Sequence, residues 1–419
     1  MPSTNNILFA LLFILKKAFK ISEPYILLFL KQLWWLILFI ILLRTFIKLY
    51  KAYKEKEEKK KKEIKEWITL SIKINREITQ TPKAIEQVFA GLHTLTDGYI
   101  SLEIIGQRKE LTFLVRLPKK YRKVFESQFY AQYPYLEIQE VYDYAESFPP
   151  VLPNKDYDLY GAEIVLSKDD FLPIKTYPYF EENKEEKRID PIANLIEATS
   201  ELQLMEYLML QIIIKPFDTD KTKKWQEDGQ KYLNKLLGKK ESKKITFHDW
   251  ITAFVVNLFR AFYTPPVWPE AKKEEGGVVN LTPIDREVIE KVYNKLSKLC
   301  FETTIRFMYL SPPSIFDETV SLAIPAYFKQ FNIENLNSFK VDSDSITKVK
   351  TKLFSKRRTI LKKYNFYQKF LNRALRSKPI ILNTEELATI YHFPLVKVEA
   401  SSLLRGLSRK GEPPPNLPI

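Results

Sequence analysis

Between Ser345 and Lys378 the sequence carries twelve Lys or Arg residues and no Asp or Glu. The formal net charge of the 419-residue chain is +15, so this one stretch holds all but about three of the excess charges. A concentrated positive field asks for an anionic partner. Lys356, Arg357, Arg358, Lys362, Lys363, Lys369, Arg373 and Arg376 are interleaved with Phe354, Tyr364, Phe366, Tyr367 and Phe370. Cations of this kind contact phosphates, and exposed aromatic rings stack on unpaired bases, which suits single-stranded nucleic acid. The candidate contact residues are Lys356, Arg357, Arg358, Lys362, Lys363, Tyr364, Lys369 and Arg373. If the segment is helical, basic residues fall on most of its faces, which argues against a simple amphipathic membrane helix. The alternative is a packed helix whose aromatics are core and whose lysines are solvated, near an acidic partner or anionic lipid.

Residues for other chemistry are sparse. The chain has 10 glycines, and no GxxxxGK[ST] phosphate loop occurs; Gly238-Lys239-Lys240 lacks the upstream glycine and follows a helical pattern. No G-x-S-x-G elbow, H-E-x-x-H or paired CxxC pattern is present. One cysteine, Cys300, excludes an internal disulfide, and the three histidines (His93, His248, His392) are scattered. Asp169-Asp170 and Glu385-Glu386 read as turn or helix-start features. The expectation is therefore no catalytic residue, no cofactor, no metal, and no enzymatic activity.

The elements that would position the basic segment follow from periodicity. Tyr25 to Leu43 is apolar apart from Lys31 and Gln32, and is close to the roughly 20 residues that a membrane-spanning helix needs. A second register, about Leu33 to Tyr50, places Trp34 and Trp35 at an interface but must accommodate Arg44 and Lys48. Ile7 to Leu15 reads as an interfacial helix or half of a hairpin. The basic residues after the span predict a cell-membrane location, single- or two-pass, with a cytosolic C-terminal body. The expected organisation is an anchor over 1–50 and a charged stalk over 51–66.

A split βαβ, ferredoxin-like module is expected over 67–147. Ile68 to Ile74 alternates as a strand, and Thr81-Pro82 opens a helix with Ile85, Val88, Phe89 and Leu92 on one face. A hairpin around Gly106 joins Ile100–Ile104 to Leu111–Leu117, a helix follows from Lys119 to Tyr133, and a short strand from Leu136 to Val141. Prolines over Phe148–Pro153 mark a boundary. A second α+β module is expected over 154–340, with strands at Gly161–Leu166, Tyr207–Ile214 and Thr303–Leu310. Its helices are expected around Pro191–Glu201, over Lys221–Leu237, and from Thr282-Pro283 onward, with an insertion and linker over 249–281. The basic segment and tail occupy 341–419, with a short helix near Thr384–Tyr391. The fold class is α+β behind a transmembrane helix.

Several spaced stretches carry a resemblance. They include Phe125 to Pro134 (FESQFYAQYP), Val141 to Tyr144 (VYDY), Phe171 to Tyr177 (FLPIKTY) and Phe301 to Tyr309 (FETTIRFMY). Phe328 to Phe331 with Asn335 to Asn337, Leu382 to Pro394 (LNTEELATIYHFP) and Pro413 to Pro418 (PPPNLP) complete the set. Together they resemble an uncharacterised domain family of candidate-phyla bacteria, found ahead of, or encoded beside, type IV secretion and conjugative DNA-transfer ATPases. The resemblance covers roughly Trp67 to Ile419. It implies a membrane-proximal half without its motor, an ATPase partner supplied in trans, and no assigned catalytic residues. The expected function is a non-enzymatic, membrane-anchored component of a type IV secretion or conjugation-like apparatus that docks an ATPase and contacts DNA or anionic lipid, with self-association as a further option. The competing readings are a membrane-surface enzyme and a purely structural envelope scaffold.

Overall fold

A computed structural model describes residues 35, 36, 38–54, 66–74, 80–108, 110–181, 190–238, 257, 281–349 and 355–394. The chain divides into two units, Met1–Lys65 and Glu66–Ile419. In the first, Leu38 to Lys54 is helical. Its apolar residues give way to Arg44, Lys48, Lys51 and Lys54, one cation every three or four positions. Among the described residues no helix is long and apolar enough to cross a membrane, which corrects the expected transmembrane helix and the membrane location built on it. Tyr25 to Trp34, Ile7 to Leu15 and residues 55–65 of the expected stalk lie outside the described residues.

The second unit is a mixed α/β body around one nine-stranded antiparallel sheet. Its first four strands are β1 (Trp67–Lys73), β2 (Ile100–Gln107), β3 (Glu110–Pro118) and β4 (Glu137–Val141). The next four are β5 (Asp158–Leu166), β6 (Tyr207–Pro216), β7 (Cys300–Ser311) and β8 (Phe339–Val341). The spatial order is β4-β1-β3-β2-β6-β7-β5-β8, and β9 (Ile380–Asn383) pairs with the start of β7. The two expected modules are thus not separate. Their inner strands β2 and β6 pair over Ile100↔Ile214 to Gln107↔Tyr207, fusing both into one sheet.

The strand order has an internal repeat. Read outward to inward, β8-β5-β7-β6 repeats β4-β1-β3-β2, so each half follows a split βαβ plan. The helices match. α1 (Pro82–Leu92) and α2 (Arg122–Gln132) lie between β1 and β2 and between β3 and β4; α3 (Ala193–Ser200) and the short α6 (Ala323–Lys329) take the same places in the second half. One difference disguises the repeat. In the first half, Gln107 pairs with Glu110 across a two-residue turn, with Arg108 at φ 38. In the second half the same connection runs from 217 to 299 and contains α4 (Thr219–Leu236) and α5 (Pro283–Ser297). The Thr282-Pro283 signal is realised as a capping box, in which Thr282 and Asp285 satisfy each other's backbone N–H groups.

One face of the sheet is apolar and is covered by helices. Leu70, Leu102, Phe113, Ile212, Ile305 and Ala162 form its centre, packed with Phe89 of α1, Phe125 and Phe129 of α2, Ile196 of α3 and Tyr327. The last helix among the described residues, α8 (Thr384–Ile390), adds Leu387, Ala388 and Ile390 to the same cluster. α4 and α5 form a side cluster instead, with Trp225, Leu233, Val292 and Leu296 around Cys300. On the opposite face, Leu159, Met209, Met308 and Leu310 receive α7 (Ser355–Leu371), the helix of the basic segment.

Candidate nucleic-acid interface

The basic segment divides its residues between the interior and the surface according to helical phase. Phe366, Tyr367 and Phe370, at i, i+1 and i+4, lie on the sheet side of α7 and are 5%, 0% and 1% exposed. Burying each contributes roughly 1.5–3 kcal/mol. Gly161 of β5 makes room for this contact, since a Cβ there would stand 2.3 Å from Phe366 Cε1. The Tyr367 hydroxyl donates to the Pro149 carbonyl (2.7 Å), and Gln368 Nε2 donates to the Pro150 carbonyl (2.8 Å). The proline-rich stretch that marked a boundary in the sequence is thereby a wall of the socket for α7. Burial pushes the Tyr367 phenol up to about 12.

Several cations of the segment are spent internally. Lys363 Nζ pairs with Asp158 (2.6 Å) and lies 5.5 Å from the centre of the Phe316 ring. Lys362 Nζ donates to the carbonyls of Asp344 (3.2 Å) and Ile346 (3.3 Å). Lys348 pairs with Glu318 (2.6 Å). Arg376 Nη2 pairs with Asp342 (2.6 Å), and its Nη1 lies 3.5 Å from Glu163.

Arg373 departs most from the expectation. It stands just beyond α7 at φ 46, is 2% exposed, and is not a surface contact residue. Its guanidinium donates to Glu103 (2.9 and 3.3 Å) and to both oxygens of Asp143 (2.7 Å each). Arg116 is the second cation on Asp143, and Gln211 Nε2 and Ser101 Oγ donate to Glu103 (3.2 and 2.5 Å). The Tyr144 ring lies 5.0 Å from the guanidinium carbon. Burial alone would lower the pKa of Arg373, but Glu103 with Tyr144 and Tyr99 together more than offset it and the net shift is upward.

Glu103 belongs to a polar row that crosses the otherwise apolar sheet. In register, Glu103 of β2 faces Gln211 of β6, Gln211 faces Arg306 of β7, and Arg306 faces Glu163 of β5. Arg306 Nε donates to Glu163 (2.8 Å), and its Nη1 to the carbonyl of Lys369 in α7 (3.4 Å). Arg373 and Arg376 therefore pin the end of α7 to opposite ends of this row. The sequence reading missed it. A signal exists: each strand holds one charged or amide residue inside a near-continuous apolar run (ISLEIIG, LMLQIII, TIRFMYL, GAEIVL). Strands buried on both faces read this way, so a lone charge within one must find a buried partner.

What remains on the surface is narrower than the sequence suggested. Lys356, Arg357, Arg358 and Lys369 of α7 are exposed, as is Lys378 beyond it. Tyr364 is 38% exposed, and Ile360 and Leu361 are 54% and 60% exposed. Phe354 lies outside the described residues. The outward face of α7 is therefore cationic and apolar with a single exposed ring, and it lies on a support fixed by buried ion pairs. It can engage phosphates by charge.

The remaining sequence candidates have structural partners. Glu386 completes a capping box with Asn383 at the start of α8 and pairs with the fully buried Lys295 (2.9 Å). Glu385 pairs with Lys298 (2.5 Å). Burial raises the Asp170 carboxyl to about 6, against the opposing pull of Lys295 and the Ile381 N–H. Burial pushes the Cys300 thiol up to about 12. His392 Nε2 lies 2.9 Å from Asp190, and His93 Nε2 lies 3.1 Å from the Cys300 carbonyl. His248 lies outside the described residues. Among the described residues no group of His, Cys, Asp and Glu is placed to hold a metal ion.

Fold and site together define a fused tandem of split βαβ halves that presents one basic helix on its second face. The chain belongs to the family described as a domain of unknown function, DUF8128, whose match spans residues 45–403. Among curated proteins none matches this chain.

Proposed function

We propose that this chain is a non-enzymatic component of a type IV secretion or conjugation-like apparatus. In this reading it contacts DNA through the outer face of α7 and docks an ATPase supplied by another chain. The observation that carries the reading is the orientation of α7. Its aromatic stripe is buried while Arg357, Arg358 and Lys369 are exposed on the other side and Lys356 is exposed in the first turn, in a stretch without a single acidic residue. Three cations in the first turn stand at the positive end of the helix dipole, where an anion would be favoured by ~0.3–1 kcal/mol. A bound polyanion would relieve the repulsion among these like charges. The apparatus is suggested only by the resemblance of the spaced stretches, Phe125 to Pro134 and Leu382 to Pro394 among them, to the family that accompanies DNA-transfer ATPases. Two measurements test the reading. Affinity capture of the tagged chain from its native host should recover an ATPase with a phosphate-binding loop, and a gel-shift titration at low salt should show DNA binding. Recovery of no ATPase at native expression removes the docking partner; no shift at any concentration leaves α7 a structural helix.

A further inference from the structure

Resting on that DNA-contacting reading, we infer that the outer face of α7 engages double-stranded nucleic acid across a groove, in preference to a single strand. Single-strand sites combine a basic track with several aromatic platforms on which successive bases stack. Among the described residues of the segment those platforms are used up. Among the described aromatic residues of 345–378, Phe366, Tyr367 and Phe370 are packed into the sheet, and Tyr364 alone is exposed, at 38%. One ring cannot track a strand.

The spacing of the cations points the same way. Lys356, Arg357 and Arg358 are exposed in the first turn, and Arg358 is nearly in line with Lys369, exposed toward the other end. Lys369 follows Arg358 by eleven positions, and at ~1.5 Å per residue the two lie roughly 16 Å apart along the axis. The major groove of a duplex is about 12 Å wide, and flexible basic side chains at both ends of a helix reach the phosphates on its two walls. Between the ends, Leu361 and Tyr364 face outward without a charge. The helix is also held still. Lys363 on Asp158, Arg373 on Glu103 and Asp143, and Arg376 on Asp342 fix it to the sheet, so little ordering accompanies binding to a rigid duplex.

The test is a fluorescence anisotropy titration of the full chain against a mixed-sequence duplex of about 20 base pairs and either of its strands, at one fixed salt concentration. The expected result is a duplex affinity at least about 10-fold above that of the single strand. Lys369→Gln should weaken duplex binding by about 2- to 5-fold, and Tyr364→Ala should change it by less than about 2-fold. An equal or tighter single strand that loses about 5-fold or more on Tyr364→Ala overturns the inference and leaves the DNA-contacting reading intact, since stacking on one ring is worth that much. Binding of neither nucleic acid overturns both. Vesicles containing phosphatidylserine that displace the duplex at matched phosphate concentration overturn the inference in favour of a lipid headgroup surface.

Discussion

Replacing Arg373 with alanine should destabilise the body more than any other single change in the basic segment. The side chain makes five hydrogen bonds, four to carboxylate oxygens of Glu103 and Asp143 and one to the Leu371 carbonyl (3.0 Å). The side chains of Arg373 and Glu103 are each 2% exposed, and that of Asp143 is 7%. After the substitution Arg116 still faces Asp143, so the uncompensated charge falls on Glu103. Removing one member of such a buried pair costs about 3–5 kcal/mol. Lys363→Ala, which breaks a half-buried pair on the same helix, should cost about 1 kcal/mol or less. Urea titration at pH 7, followed by tryptophan fluorescence, reads both through the midpoint at constant slope. The double variant Arg373→Ala with Glu103→Gln removes the stranded charge and should recover part of the loss, with a coupling energy of about 1–3 kcal/mol. An Arg373→Ala cost below about 1 kcal/mol, or strict additivity in the double variant, would refute the argument that this ion cluster fastens α7 to the sheet.

Three other outcomes follow from packing and titration. Gly161→Ala would bring a Cβ to 2.3 Å and 2.7 Å from the Phe366 ring and 2.9 Å from the Phe307 carbonyl, so it should cost about 1–3 kcal/mol; a neutral urea midpoint would contradict that contact. Lys295→Met leaves Glu386 buried with two backbone N–H donors and no counter-ion, and should cost about 3–5 kcal/mol; an unchanged midpoint would mean that the pair is not buried. Asp170 has a folded pKa of about 6, above its ordinary 3.8. The unfolded chain therefore releases this proton first, and the folded state is penalised fully above pH 6, less as pH falls, and not at all below about 3.8. Asp170→Asn should raise the urea midpoint at pH 8 and leave it nearly unchanged at pH 4; an equal rise at both pH values would show that the carboxyl titrates normally.

Local structure was legible in the sequence where one principle acted alone. The period-2 run before Lys73, the proline at the start of α1 and the Thr282-Pro283 cap of α5 each name their element without tertiary help. The hairpin turn was displaced slightly, from Gly106 to Arg108, because Gly106 is in the ladder opposite Leu111. Global arrangement was not legible. The fusion of the halves depends on β2 and β6 finding each other across about a hundred residues, and backbone pairing leaves little trace in side-chain type. The repeat was hidden because a two-residue turn in one half is replaced by α4 and α5 in the other. The site was half legible: the excess charge of the basic segment was visible, but composition cannot tell a phosphate-facing arginine from one facing a buried carboxylate. Arg357 and Arg373 look alike in the sequence and have opposite surroundings in the fold.

In the proposed function α7, fastened to the sheet on one side, offers its first-turn cations to nucleic-acid phosphates on the other. The most direct test of that claim is the salt dependence of duplex affinity for the full chain and for the variant carrying Lys356→Gln, Arg357→Gln and Arg358→Gln. These residues are exposed, so the urea midpoint should be unaltered. Each phosphate contact contributes about 0.9 to the slope of log affinity against log salt, so the variant should bind more weakly with a slope shallower by about two to three. A variant that binds with the parent's slope would contradict the claim.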